Sequence, residues 1–361
     1  MKKPAEAQPS RRPIQSDVAR AAGVSRGTVS YVVNGVTTGK VSISEETRAR
    51  VWRAVEELGY EPDAGARALR SGTTHTIGLV IPDLSNPHYW ENAVGIEHEA
   101  RAAGYRLLLS SMELNADYGV DIFKDLAGRR IDALILTGAL TEKSGEAQKI
   151  MARCIKRGQV IVEIGDHQLG KQRVDFVVSD YRATTAEAMA HLLALGHKRI
   201  GFVFGLTDPA QGADRIEPYH EAIAAAGLPA DPALVAECGP ALEDGYQAAL
   251  RLLQMPDRPT AIMALNDMMA IGVLRAAGDC GLRVPDDLSL VGCDDIPVAS
   301  YLVPRLTTSS KDSVLLGRHA VRLVLDRLQN PGRPVRSIHI PARFIVREST
   351  GPAPHAAALR M

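Results

Sequence analysis

The sequence predicts two architectures in series: an all-α helix-turn-helix head, then an α/β body of two lobes, each on a doubly wound parallel sheet. Three observations carry this. Residues 17–34, DVARAAGVSRGTVSYVVN, show helical apolar spacing interrupted once, at Gly23. From Thr76 onward, short apolar runs such as IGLVIP, DALILTG, QVIVEIG and RIGFVFG alternate with amphipathic stretches such as AEAMAHLLALG. Runs buried on both faces and separated by helices indicate parallel sheets covered on both sides. Such runs are too many for one compact sheet, which divides the body in two, and 361 residues suffice for two or three cores.

In the head, Val18, Ala19 and Ala22 line one side of a first helix. Gly23 stops it, because glycine enters the left-handed region without steric cost. Ser25 is placed to cap a second helix that turns Val29, Val32 and Val33 toward the first. Its outward face holds Arg26, Thr28, Ser30, Tyr31 and Asn34, groups that can meet phosphates and base edges. An αα-hairpin buried in a bundle is the alternative, and that polar face argues against it. A third helix is expected in SEETRARVWRAVEELGY: Ser44 caps, Glu45 and Glu46 suit the first turn, Val51, Val55 and Leu58 form the stripe, and Gly59 ends it. Residues 1–13 read as a basic arm, 14–62 as the head, and 63–75 as a linker with a short helix at Ala66–Arg70.

The zero net charge hides an asymmetry. Through Gly72 there are 12 Lys and Arg against 8 Asp and Glu, and the remainder holds 30 against 34. A head at +4 on a body at −4 fits a phosphate-binding module joined to something that avoids DNA. Cys154, Cys238, Cys280 and Cys293 form no CxxC pair, so neither a zinc site nor a disulfide framework is expected, and reduced thiols of a cytoplasm are the default. The start, MKKPAEAQPSRRP, has no apolar stretch behind it, so no signal peptide is expected, and no run approaches the ~20 apolar residues of a membrane span. There is no GxSxG, P-loop, dinucleotide fingerprint or metal-ligand spacing, so neither an enzyme nor a cofactor is expected. The head and the missing leader argue against a transport-type solute-binding protein.

Residues 76–350 make up the body. Its last helix, SVLLGRHAVRLVLDRLQN, precedes SIHIPARFIVREST, a late strand expected to cross back. Residues 351–361, GPAPHAAALRM, read as a loose tail.

Six blocks in order resemble the LacI/GalR family of transcriptional repressors: DVARAAGVSRGTVSYVVNG, YEPDAGARALRSG, TIGLVIPDLSNPHYWENAVGIE, HLLALGHKRIGFVFG, AIMALNDMMAIGVLRAAGDCGLRVPDDLSLVGCDD, and PRLTT with VREST. The resemblance runs from Ile14 to Thr350. It implies paired heads reading a pseudo-palindromic operator, and a body like a periplasmic sugar-binding protein. A small effector between the lobes would shift the dimer between DNA-competent and incompetent arrangements. The tail lacks the leucine repeat of the family's tetramers, so a homodimer is expected.

Residue by residue, the resemblance makes Arg26 and Gly27 the base readers. Arg26 can grip guanine O6 and N7, worth ~1–3 kcal/mol of discrimination, and Gly27 adds no side chain. Tyr31 stands where some members carry a base-reading arginine. Ser25, Thr28, Ser30 and Asn34 match phosphate contacts. Ile14 replaces a frequent threonine, leaving Ser16 as a candidate cap. In the hinge, Leu69 would wedge into a central base step from the minor groove, Ala66 would permit close approach, and Arg67 and Arg70 would reach phosphates. Asp63 replaces a usual asparagine.

On the effector side, the resemblance assigns Asp83, His88 and Tyr89 after the first body strand with Asn86, then Arg215, Asn266 and Asp294. These lie at carboxyl ends of strands, where ligands of doubly wound sheets bind. Planar polar groups there suit a polyhydroxylated molecule. Asp267 is read as a helix cap, and Glu163 and Asp166 as lesser candidates. Pro240 stands where sugar binders often stack Trp or Phe, and Lys311 where Gln is common. Together these two departures suggest a sugar acid or sugar phosphate, with a solvated surface lysine as the alternative at 311. Leu69→Ala is expected to weaken specific operator binding while the body folds and binds effector normally. An unchanged operator affinity in a gel-shift titration refutes the wedge.

Overall fold

In a computed structural model of the chain, the described residues are 12–34, 43–61, 72–113, 115–128, 131–137, 145–165, 174–179, 181–205 and 212–354. The expectations at Asp63, Ala66, Arg67, Leu69, Arg70 and Asp166 lie outside them. Two compact units divide the chain, Met1–Thr74 and His75–Met361.

The first unit holds α1 (Gln15–Ala22), α2 (Arg26–Asn34) and α3 (Glu45–Leu58). α1 starts earlier than Ser16 could cap it. Ile14 precedes the helix, and its N–H donates to the Asp17 carboxylate at 3.0 Å, which closes the first turn. Gly23 adopts φ 64°, and the Val24 N–H returns to the Ala19 carbonyl at 3.0 Å. Ser25 then caps α2 by accepting the Thr28 N–H at 3.0 Å, and Ser44 caps α3 through Thr47 at 3.3 Å. Val18, Ala19, Ala22, Val29, Val32, Val51 and Ala54 form the core. Each fully buried valine contributes about 1.5–3 kcal/mol. The stripe of α3 therefore runs through Val51, Ala54 and Val55, whereas Leu58, at the end of the helix, is left exposed.

The second unit starts with β1 (Thr76–Ile81), α4 (Pro87–Ala102), β2 (Arg106–Ser111), α5 (Ala116–Gly128), β3 (Ala133–Thr137), α6 (Gly145–Lys156), β4 (Val160–Gly165) and β5 (Asp175–Ser179). Together with β11 (Ser337–Ile340) these strands form a parallel sheet ordered β11-β5-β4-β3-β1-β2. Alternate residues of each strand serve opposite faces. Ile77, Leu79, Ala133 and Ile135 pack under α4 and α11 (Ser313–Gln329), while Val80, Leu134 and Leu136 pack under α5 and α6. α4 and α11 meet backbone to backbone: a Cβ on Gly95 would lie 2.0 Å from the Val314 carbonyl oxygen, and one on Gly317 2.3 Å from that of Asn92.

The second lobe follows with α7 (Tyr181–Ala194), β6 (Ile200–Gly205), α8 (Ala213–Ala225), β7 (Val235–Cys238), α9 (Leu242–Leu253), β8 (Ala261–Ala264), α10 (Asp267–Asp279) and β9 (Ser289–Val291). Its parallel sheet runs β7-β6-β8-β9 around one hydrophobic core. β10 (Thr308–Ser310) and β12 (Arg343–Ile345) pair antiparallel beside it. The expected late strand is thus two strands. β11 joins the first sheet, and Pro341, which has no N–H to give a ladder, stands between it and β12. No described helix is long and apolar enough to cross a membrane.

The tail expected to be loose is pinned where it begins. His197 is buried, and its Nε2 lies 3.0 Å from the Gly351 carbonyl and 2.9 Å from Ser289 Oγ. A carbonyl only accepts, so Nε2 carries the proton and Nδ1 accepts from Thr260 Oγ1 at 2.9 Å. The Ala353 N–H donates to the Leu195 carbonyl at 2.9 Å. Burial lowers the His197 pKa, which favours this neutral form. His197→Ala is expected to cost about 2–4 kcal/mol, combining a cavity with unsatisfied partners. Urea unfolding of the body reads this, and a loss below about 1 kcal/mol refutes the clamp.

Candidate functional site

The head presents one polar surface. Ser25, Arg26, Gly27 and Tyr31 are exposed, Thr28 and Ser30 half-buried, and Val29 and Val32 face inward. The first turn of α2 contains no acidic residue, so Arg26 adds its charge to the positive end of the helix dipole without a local carboxylate. A Cβ on Gly27 would meet only Ser25 Oγ at 3.5 Å, so the bare position is sterically free to carry a side chain. Ser25 Oγ also lies 2.9 Å from Thr28 Oγ1, which gives both hydroxyls a capping role in addition to the phosphate role expected of them. Asn34 closes α2, and its side chain lies outside what is described.

In the body, the expected effector residues separate into two groups. Asp83, Asn86 and Asn266 organise their own loops. Asp83 accepts the Ser85 N–H at 2.9 Å, Asn86 caps α4 through His88 N–H at 3.0 Å, and Asn266 caps α10 through Met269 N–H at 2.8 Å. The cap of α10 is therefore Asn266 and not Asp267, which is fully buried and binds Thr308 Oγ1 at 2.6 Å and the Ile296 N–H at 2.9 Å. Trp90 Nε1 donates to the Leu84 carbonyl at 2.6 Å and closes the loop after β1. Pro240 is half-buried ahead of α9, and Glu163 is buried on β4.

The remaining group converges on Tyr181, which the sequence reading did not single out. The phenol donates to Asp294 Oδ1 at 2.5 Å. Arg215 Cζ lies 4.7 Å from the ring centroid and Lys311 Nζ 4.5 Å. His88 Nδ1 lies 3.6 Å from the same Asp294 oxygen and 3.2 Å from Ser313 Oγ, and Tyr89 packs edge-on against His88 at 5.1 Å. Arg215 also pairs with Asp214 at 3.4 Å. At 8% and 7% exposure, Arg215 and Lys311 are internal groups, which removes the solvated-lysine alternative. The one local signal for Tyr181 is its position: it is the first residue of the helix that follows β5.

α4 brings a second titratable group to this region. Burial, followed by the carboxylates of Asp295, Asp294 and Asp312, pushes Glu91 up from its ordinary 4.5 to about 7. Asp295 is itself paired with Arg347 at 2.5 Å. In chemical terms the cluster offers a carboxylate acceptor, two cationic donors and an imidazole, a set suited to hydroxyls and anions.

These two parts define a helix-turn-helix regulator with the body of a ligand-binding protein. A family profile described as "Bacterial regulatory proteins, lacI family" matches residues 16–63, and one described as "Periplasmic binding protein-like domain" matches 189–350. Catabolite control protein A of Priestia megaterium is 34% identical over 336 residues, spanning 92% of this chain and 98% of that protein. The Lac repressor dimer bound to operator and the anti-inducer ONPF is similar at TM-score 0.81 and 26% identity, over 94% of this chain and 100% of that one. A complex of the transcriptional regulator CelR with cellobiose is similar at TM-score 0.68 and 29% identity, also over 94% and 100%. The chain belongs to the lacI family of DNA-binding transcriptional regulators.

The Glu91 shift has a definite sign. The folded pKa is above the unfolded one, so the folded state binds more protons between about pH 4.5 and 7, and stability falls as pH rises through that window. The body's melting temperature is expected to drop more between pH 5 and 8 in the native protein than in Glu91→Gln. Equal slopes refute the assignment.

Proposed function

We propose that this chain is a repressor that binds a pseudo-palindromic operator as a homodimer and is controlled by a small carbohydrate-like effector held between its lobes. The observation that carries this is the cluster of Asp294, Arg215, Lys311 and His88 around Tyr181 at the carboxyl side of both sheets. Asp294 accepts hydroxyls, while the two buried cations favour a ligand that also bears a carboxylate or phosphate, so a sugar acid or sugar phosphate is the preferred form. Cellobiose in the related CelR complex supports the carbohydrate class. In the head, Arg26 is the principal major-groove reader, with Ser25, Thr28, Ser30 and Asn34 fixing register, Gly27 leaving the groove floor open and Tyr31 flanking it. In the hinge, Leu69 wedges into the minor groove, Ala66 permits the close approach and Arg67 reaches phosphates. Asp83, Tyr89 and Asn266 complete the effector site from their loop ends. Homodimerisation is supported by Tyr301 and Val303, apolar side chains 82% and 92% exposed on the second lobe, and by the dimer of the related Lac repressor.

Selection from a random DNA pool is expected to return a two-fold symmetric site. Arg26→Ala should relax one symmetric base position, at ~1–3 kcal/mol of discrimination. In calorimetry, D-gluconate is expected to bind at least about tenfold tighter than D-glucitol, which lacks only the carboxylate, and Lys311→Ala to abolish that margin, a difference of ~1.4 kcal/mol. Enriched sites without symmetry refute the dimeric operator. Tight binding of a neutral sugar, indifferent to Lys311→Ala, refutes the acidic ligand.

A further inference from the structure

The chain passes between the lobes three times, from β5 to α7, from β10 to α11 and from β11 to β12. Tyr181 ends the first, is fully buried, and opens α7. Its hydroxyl holds Asp294, which follows β9 on the second lobe, and its ring carries Lys311 from the second passage. Ser313 ends that passage and lies 3.2 Å from His88 Nδ1 on α4 of the first lobe, and His88 lies 3.6 Å from the Asp294 oxygen that the phenol occupies. In the third passage, the Ile340 carbonyl accepts from Ser179 Oγ at 2.9 Å. One phenol–carboxylate contact thus adjoins two passages directly, and the third is bonded to the first.

We infer that Tyr181 is a positioning residue that couples occupancy of the cleft to the relative setting of the lobes, which rests on the ligand-gated function proposed above. A ligand hydroxyl that donates to Asp294 competes with the phenol for the same carboxylate. Tyr181 has no exposed surface through which to swing aside, so a yielding phenol moves the start of α7. Lys311, stacked on the ring, carries the second passage with it. Lobes reorient through torsion changes in just such linking residues. A ligand shifts a two-state equilibrium only by its different affinity for the two states. A phenol–carboxylate bond kept in one setting and surrendered in the other supplies that difference. The bond thereby converts the polar chemistry of Asp294 into a mechanical event.

The test uses the full chain, the selected operator, and five probes: D-gluconate, D-glucuronate, glucose 6-phosphate, D-ribose and cellobiose. Calorimetry gives each probe's Kd, and fluorescence anisotropy gives operator affinity with and without saturating probe. The ratio of those two affinities is the coupling factor, about 5–150-fold in typical allosteric proteins. Tyr181→Phe keeps the ring beneath its cations and removes only the hydroxyl. It is expected to tighten probe binding, because the ligand no longer competes with the phenol for Asp294, while the coupling factor falls at least about fivefold. Ser313→Ala, which separates His88 from the second passage, is expected to lower coupling in the same way and serves if Tyr181→Phe does not fold. A purely structural defect would move melting temperature and both affinities together without singling out the ratio. Full coupling in both variants overturns the inference alone. So does a loss of probe binding beyond about tenfold with the ratio intact, which would make Tyr181 an affinity residue. A native protein whose operator affinity none of the probes changes overturns the ligand-gated reading, and the inference with it.

Discussion

The cluster around Tyr181 depends on a carboxyl group that never meets solvent. Asp267 accepts from Thr308 Oγ1 and from the Ile296 N–H, while its own N–H donates to the Cys293 carbonyl at 2.7 Å. Those bonds tie together the start of α10, the turn after β9 and the strand β10, which are the segments that lead to Asn266, Asp294 and Lys311. The fit is close: a Cβ on Gly292 would approach Asp267 Oδ1 to 2.2 Å. Burial, followed by the charge of Asp294, pushes the Asp267 carboxyl well above the usual carboxylate range. Burial thus disfavours a second full negative charge beside Asp294. Removing one of its partners would leave a buried polar group at a cost of about 1–3 kcal/mol.

Around Asp267, the polarity of the cluster is set by how the neighbouring charges are shared. Arg215 divides its field between Asp214 and the face of Tyr181, and Lys311 lies over that same ring. Cation–π contacts of this kind are worth about 0.5–2 kcal/mol, the upper end applying when the cation is desolvated. The ring therefore meets two like charges without cancelling either. Asp295 is neutralised by Arg347, which leaves Asp294 as the acceptor that faces both the phenol and the imidazole of His88.

Local punctuation made the head legible in the sequence. Gly23, Ser25, Ser44 and Gly59 act within one turn of where they stand, and all four behave as read. Ser16 was misread because the stop signal before α1 is a side chain reaching backward, Asp17 to Ile14, and not a forward cap. In the body, long apolar runs announced most strands, but β5 (DFVVS) and β7 (VAEC) are short or mixed and did not stand out. The tail looked loose by composition because its anchors, His197 and Ser289, are far away in sequence. Tyr181 escaped for the same reason: each of its partners comes from a different element, and no spacing along one helix or strand encodes them. Swapping the roles of Asn266 and Asp267 reflects the same limit, since two adjacent acceptors at a helix start differ only in what lies above them.

The backbone contact between α4 and α11 also bears on biosynthesis. The first lobe is begun by residues 76–179 and finished by 313–340, with the second lobe made in between. Until Gly317 reaches Gly95, the face of the first sheet carrying Ile77, Leu79 and Ile135 has no α11 to cover it. A nascent chain must therefore carry an unfinished apolar sheet while more than a hundred further residues are made, the condition under which aggregation competes with folding. The sheet of the second lobe, drawn from the continuous stretch 200–291, has no such wait. Premature termination late in the message would thus damage the earlier-made lobe.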